Sequence, residues 1–249
     1  MRWDAATYDG DFSFVTDYGA GLLDLLKVEP PASVIDIGCG TGVHAAALAD
    51  RGLDVVGVDV DPDMIARARE SFPAVEFVVG NAQDLPTERL FDAALSNAAL
   101  HWMPDQGTAL ASIRTVLKPG APFVAEMGGK NNVEVVDAAI VDAVVTLGLP
   151  APHIRKFFPS LAQEAALLEG AGFEVTSMHW FERPTALASE QTPADWSRLF
   201  RADVWSQVPA SLHGELARGI DARCAALRRA EGWFIDYWRL RFVARAAMG

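Results

Sequence analysis

Cysteine is nearly absent from this chain: Cys39 and Cys224 are the only two among 249 residues. Two thiols cannot build a disulfide framework, and their scarcity fits a reducing compartment. A basic surplus is also missing. Lys and Arg total 21 against 33 Asp and Glu, a formal charge of −12. An acidic body repels phosphate backbones, so nucleic acid is not expected as a partner. No run approaches the roughly 18 consecutive apolar residues of a spanning helix, so no membrane partner is expected either. The start, MRWDAATYDGDF, lacks the basic residues and apolar stretch of a signal peptide. There is no low-complexity tract, no fixed-period repeat and no Ser/Gly linker. The histidines His44, His101, His153, His179 and His213 show no metal-ligand spacing, so no metal is predicted. These absences predict a soluble, cytoplasmic protein.

What is present is apolar material: 51% of the residues are hydrophobic, ample for the core of a single domain over 1–249. Strand and helix periods alternate along it. Ser33 to Ile37 is a β-branched run closed by glycines. Val43 to Arg51 is Ala-rich and helical, with Gly52 in the stop position. Val55 to Val58 is a second buried strand ending at Asp59, and Asp61 with Pro62 opens a helix. Val75 to Val79, Phe91 to Leu95 and Phe123 to Ala125 are further strands, with a helix marked by Leu110, Ile113 and Leu117. This rhythm predicts an α/β fold, a doubly wound parallel sheet with helices on both faces. Beyond residue 127 come a helix over Val133 to Leu147, a capping box of Ser160 and Gln163 before the helix Leu161 to Glu169, and a strand over Phe173 to Phe181. Residues 184 to 232 read as helical. Phe234, Trp238, Leu240, Phe242 and Ala244 share one alternating face and predict a last strand, although Asp236 interrupts it.

Gly38, Gly40 and Gly42 stand where the first strand turns into a helix. Without side chains, such a turn lets backbone approach a ligand closely. Asp59 ends the next strand, 23 residues after Asp36, where it can accept hydrogen bonds from the vicinal hydroxyls of a ribose. An adenosine-type cofactor follows. The dinucleotide fingerprint wants Gly or Ala at the place of Val43, and the Walker form wants Lys-Ser/Thr after Gly42, where Val43-His44 stands. A glycine turn without a pyrophosphate signature suits a nucleoside cofactor carrying no phosphate, namely S-adenosylmethionine. A turn that merely closes a strand and helix is the alternative, disfavoured by Asp59.

The order of Val34 to Gly42, Val56 to Asp59, Gly80 to Pro86, Phe91 to Asn97 and Leu117 to Gly120 resembles the class I S-adenosylmethionine-dependent methyltransferases. Ser96-Asn-Ala-Ala-Leu-His-Trp102 is similar to the type 11 group and its trans-aconitate methyltransferases. The resemblance covers about residues 30 to 127. It implies a Rossmann-like, seven-stranded, mostly parallel sheet whose last strand is antiparallel. The sheet core would comprise about 30–127, 161–183 and 233–245, with a helical substrate cap from 1–29, 128–160 and 184–232. It implies that Gly38 and Gly40 flank the cofactor, that Asp59 holds the ribose diol, that Asn81 and Ala82 meet the adenine edge and that Ser96 faces the methionine portion. Asp36, in the strand before the turn, joins the cofactor-binding set. Asn81 departs from the Asp of many relatives, but its carbonyl oxygen can still accept from the adenine amino group.

Methyl transfer needs alignment of acceptor and methyl, and a base only if the acceptor keeps its proton. His101, beside the end of the fourth strand, is the catalytic candidate, as a base or as a polar contact to the acceptor; the alternative, which is favoured, is a histidine hydrogen-bonded within its loop. Tyr8, in an aromatic segment with Trp3, Phe12 and Phe14, is a candidate to close over the sulfonium by cation–π attraction, the alternative being packing against the first helix. His153, Arg155 and Lys156 form a basic knot suited to an acidic substrate or to a solvated turn. Ser96 to Ala99 lacks the Pro-Pro-aromatic signature of nucleobase amine methylation, which with the charge points to a small-molecule substrate. Within that class, the resemblance to the trans-aconitate group implies methylation of a carboxylate as the first expectation. Transfer to another metabolite, a non-catalytic cofactor-binding protein and a NAD-linked oxidoreductase are the alternatives.

Overall fold

The computed structural model describes residues 21–103, 105–154 and 156–248. They divide into two compact units. The first comprises the described residues up to 128 together with 159–180 and 240–248; the second comprises 129–158 and 181–239.

The first unit is built on a seven-stranded sheet. Its strands are β1 (Ser33–Ile37), β2 (Asp54–Asp59), β3 (Glu76–Val79), β4 (Ala93–Asn97), β5 (Pro122–Gly128), β6 (Phe173–Glu182) and β10 (Trp238–Ala246), in the order β3-β2-β1-β4-β5-β10-β6. β3, β2, β1, β4 and β5 pair in parallel. β10 runs antiparallel to β5: Gly120 N–H donates to Ala246 and Ala246 N–H to Ala121, at the start of one strand and the end of the other. The helices are α1 (Val43–Ala49), α2 (Pro62–Ser71), α3 (Gln106–Thr115) and α5 (Leu161–Gly170). Strand side chains alternate between two apolar layers. Val34, Val55, Leu95 and Val124 pack with Leu48 of α1 and Ile65 of α2. Ile35, Ile37, Ala94, Phe123 and Phe242 pack with Leu110 of α3 and Leu168 of α5. Each fully buried aliphatic or Phe side chain contributes about 1.5–3 kcal/mol.

Most predicted elements of this half appear within two residues. The fourth strand starts later than expected, at Ala93, because Phe91 makes only an isolated bridge to Leu117 and Asp92 turns its carboxylate to Ser33. The capping box of Ser160 and Gln163 is formed.

The second unit holds α4 (Glu134–Thr146), α6 (Pro193–Phe200), α7 (Ala202–Trp205), α8 (His213–Arg223) and a three-stranded sheet in the order β7-β9-β8. These strands are β7 (Thr185–Ala186), β8 (Arg228–Arg229) and β9 (Gly232–Ile235), so 184–232 is not wholly helical. The expected last strand is in fact two, β9 and β10, separated at Asp236. There the carboxylate accepts Val135 N–H (2.8 Å) at the start of α4 and the carbonyl accepts Val133 N–H (3.0 Å). Within the unit, Arg201 grips the buried Asp137 through Nε (2.7 Å) and Nη2 (3.1 Å). Trp196 Nε1–H donates to Tyr237 Oη (2.8 Å). No helix among the described residues is long and apolar enough to cross a membrane.

Candidate active site

The strand order reverses between β1 and β4, and the crevice at the carboxyl ends of the strands opens there. Gly38 and Cys39 N–H both donate to the Val58 carbonyl (2.7 and 3.1 Å), pinning the glycine turn to the end of β2. Gly38 has φ +70°, and a Cβ on it would stand 2.2 Å from Ala99 Cβ, so only glycine fits. Gly40 has φ +54°, but a Cβ there would meet nothing within 4 Å. Gly40 N–H donates to Asp59 Oδ2 (2.9 Å) and Asp61 N–H to Asp59 Oδ1 (2.9 Å). Two backbone donors therefore orient the Asp59 carboxylate, and each oxygen keeps capacity for another hydrogen bond. Burial raises the pKa of Asp59, against the lowering effect of those N–H groups.

Asp36 lies deeper on β1, 2% exposed. Its Oδ2 has no hydrogen-bond partner among the described residues. Burial, and then the neighbouring Asp59, pushes its carboxyl up to about 7. Ser96 is fully buried, and its Oγ–H donates to the Ile37 carbonyl (2.9 Å). The structure thus places it beneath the surface, tying β4 to β1. Asn81 is exposed after β3, and its Oδ1 accepts Gln83 N–H (3.0 Å), which engages one lone pair of the oxygen expected to meet adenine. Ala82 beside it is buried. Tyr8, with Trp3, Phe12 and Phe14, lies outside the described residues.

His101 is buried in a short 3₁₀ turn (Leu100–Trp102) after β4. Gly128 N–H, at the end of β5, donates to His101 Nδ1 (3.3 Å). A donor aimed at Nδ1 leaves the proton of the neutral ring on Nε2, so that nitrogen is itself a donor. His44, in the first turn of α1, has a buried Nε2 with no hydrogen-bond partner among the described residues, and burial lowers its pKa while Glu126 raises it. Lys156 of the predicted basic knot turns to the buried Asp137, within the second unit; Arg155 lies outside the described residues.

A family model for a methyltransferase domain matches residues 35–125. An uncharacterized methyltransferase of Schizosaccharomyces pombe is 31% identical over 255 residues, spanning 97% of each chain. The chain belongs to the class I S-adenosylmethionine-dependent methyltransferases, type 11. Trans-aconitate 2-methyltransferase of Methylobacterium radiotolerans is 35% identical over 127 residues, which is 50% of this methyltransferase and 49% of that relative. The fold is also that of Haemonchus contortus phosphoethanolamine N-methyltransferase 2, solved with phosphomonomethylethanolamine and S-adenosylhomocysteine. The TM-score is 0.60 at 16% identity, covering 98% of this chain and 57% of that one.

Three features of the candidate site escaped the sequence. Ala98, just past β4, holds φ +56° while its N–H donates to the Glu126 carbonyl (2.7 Å). A left-handed alanine costs about 1–2 kcal/mol, and alanine gives no local signal of it. Val60, directly after Asp59, is 68% exposed. An apolar residue following a strand-ending acid could have marked it. Buried Glu126, at the end of β5, takes Arg241 Nε (2.8 Å) and Nη2 (2.6 Å), a pair 115 residues apart in sequence.

Proposed function

We propose that this methyltransferase moves the methyl group of S-adenosylmethionine onto a carboxylate oxygen of a small organic acid, forming a methyl ester. The reading is carried by the hydrogen bond from Gly128 N–H to His101 Nδ1. On this reading Nε2–H is a donor, whereas an acceptor that still held its proton would need a base. A carboxylate is ionised at neutral pH and needs none. The trans-aconitate relative, named for a polycarboxylic acid, supports the same class of acceptor.

The residues suit the cofactor. Asp36 Oδ2 is an orphaned buried acceptor, matched to the ammonium group of the cofactor, and the open space at Gly40 is a cradle that a Cβ would fill. Asp59 would take the ribose hydroxyls, Asn81 and Ala82 the adenine edge, and Gly38 with Ser96 would support the methionine end. When bound, S-adenosylmethionine supplies an electrophilic methyl group. The chain's own task is alignment, which supplies up to roughly 7–11 kcal/mol. His101 Nε2–H would hold one oxygen of the acceptor carboxylate and leave the other to react. Two buried free thiols are consistent with work in the reducing cytoplasm.

Screening small carboxylic acids for S-adenosylhomocysteine release, with mass analysis of the product, tests this directly. The product is expected to be a base-labile ester. His101→Gln keeps a donor and should lower turnover less than about tenfold, below the ~10²–10⁴ of a lost general base. A loss above a hundredfold with cofactor affinity intact, or a product stable to base, would overturn the reading.

A further inference from the structure

Two buried polar atoms of the first unit lack hydrogen-bond partners among the described residues, and both belong to one pair of side chains. Gln106 opens α3 and is 4% exposed; Glu164 stands in the first turn of α5 and is fully buried. Gln106 Nε2 donates to Glu164 Oε1 (3.0 Å) and reaches Met127 Sδ at 3.4 Å. Both of its hydrogens are thereby used. The sulfur, an acceptor, fixes the orientation of the amide, because the flipped form would set an oxygen against it. What remains is an orphaned Gln106 Oε1 and an orphaned Glu164 Oε2.

No Lys, Arg or His pairs with Glu164 among the described residues. The other charged groups on the packed elements are directed elsewhere. On α3 and at its cap, Arg114 binds the Gly172 and Ala247 carbonyls and Asp105 caps its own helix; on β5, Glu126 holds Arg241. Glu169 of α5 is exposed, and His101 of the 3₁₀ turn takes Gly128 N–H. A bare carboxylate here would be a buried charge with one donor, which is costly. A proton on Oε2 satisfies both orphans at once, since Oε2–H can donate to Gln106 Oε1. A carboxylic acid and a carboxamide are both planar and can exchange two hydrogen bonds in a ring. Burial pushes the Glu164 carboxyl up to about 7, in the same direction.

We propose that Glu164 is held as the neutral acid in a doubly hydrogen-bonded pair with Gln106, and that this pair is a positioning element for the end of β5. Met127 is the link. The pair touches its sulfur, and its chain neighbours are Glu126, whose carbonyl holds Ala98, and Gly128, whose N–H holds His101. Ionisation of Glu164 removes one of the two bonds and sets a charge against the carboxamide oxygen. The orientation of His101 is thereby tied to the protonation of a residue that touches no substrate.

Carbon-13 and nitrogen-15 NMR of the full chain tests this without any acceptor. The Glu164 carboxyl carbon should resonate as the neutral acid at about pH 6 and change over near neutrality, and the Gly128 amide should move in step. Glu164→Gln copies the neutral acid, because its amide can donate to Gln106 Oε1 and accept in return. It should keep the low-pH Gly128 resonance and lack the step. A Glu164 carbon already at the carboxylate position at about pH 6, or a Gly128 amide indifferent to the change, would overturn the proposal. The wild-type titration decides even if the variant does not fold.

Discussion

Asp59 and Asp36 are two carboxylates on adjacent strands with different surroundings, and their contrast sets what each can do. Asp59 is oriented by two backbone N–H groups before any ligand arrives. Charge-assisted hydrogen bonds are worth about 1.5–3 kcal/mol, so Asp59→Ala should weaken S-adenosylhomocysteine binding by roughly 10- to 150-fold in titration calorimetry. An unchanged affinity would remove Asp59 from the site. Gly40 offers a second check. Its surroundings hold no atom that a side chain would strike, so a substitution there meets only backbone strain at φ +54°. Asn tolerates that region better than other side chains. Gly40→Asn should therefore leave a folded chain by circular dichroism and lose cofactor affinity at least tenfold. Retained binding would mean that the open space is not where the cofactor lies.

The second helix links local structure to the site. Asp61 caps α2 through its side chain, which accepts Asp63 N–H (2.9 Å), while its own N–H holds Asp59. Asp61→Ala removes the first function and keeps the second. Denaturant unfolding should show a loss of about 1 kcal/mol, with S-adenosylhomocysteine affinity changed far less than in Asp59→Ala. A large loss of affinity would assign the Asp61 carboxylate to the ligand itself. The start of this helix was legible in the sequence because its signals are local: Asp61 at the cap and Pro62 at the first helical position. The glycine turn and the strand ending at Asp59 were legible for the same reason. β9 and β10 were not separable, because Phe234 and Trp238 keep the same alternating phase across Asp236. What breaks the strand is the hydrogen bond to Val135, 101 residues away in sequence. β7 and β8 have two residues each, too few to show a period. At the site, the residue types of Asp36 and His101 were readable, but not the missing partner of one or the donor aimed at the other. Both depend on what distant strands place beside them.

The net charge is unevenly distributed over the molecule. Residues 129–158 and 181–239 contain 11 Lys and Arg against 11 Asp and Glu, so the whole formal charge of −12 belongs to the rest of the chain. That part also buries Asp36 and Glu164, each pushed up to about 7, while Asp236 in the second unit rises to about 6. In all three, burial is the largest cause. A carboxyl whose pKa is raised by folding holds its proton more tightly in the native state. Its contribution is complete below the unfolded value near 4, declines as pH rises through the interval, and is gone above about 7. Each pH unit between the two values is worth about 1.4 kcal/mol. The melting temperature should therefore rise as pH is lowered from about 8 to about 5, the reverse of a chain held by carboxylate ion pairs. Below about 4 the trend should turn, since Lys118 and Ser33 hold the Asp92 pKa down and that contribution is lost on protonation. Self-repulsion among surface acids has the same sign above pH 5, but salt screens it, whereas buried groups are screened little. Scanning calorimetry in high salt separates the two. A pH dependence that survives salt and shrinks in Glu164→Gln belongs to the buried carboxyls, and one that vanishes in salt belongs to the surface. Binding of the cofactor adds a last check on Asp36. An ammonium group beside its carboxylate favours the ionised form, so binding should release a proton between about pH 5 and 7. The heat of S-adenosylmethionine binding should then depend on the ionisation enthalpy of the buffer in wild type but much less in Asp36→Asn.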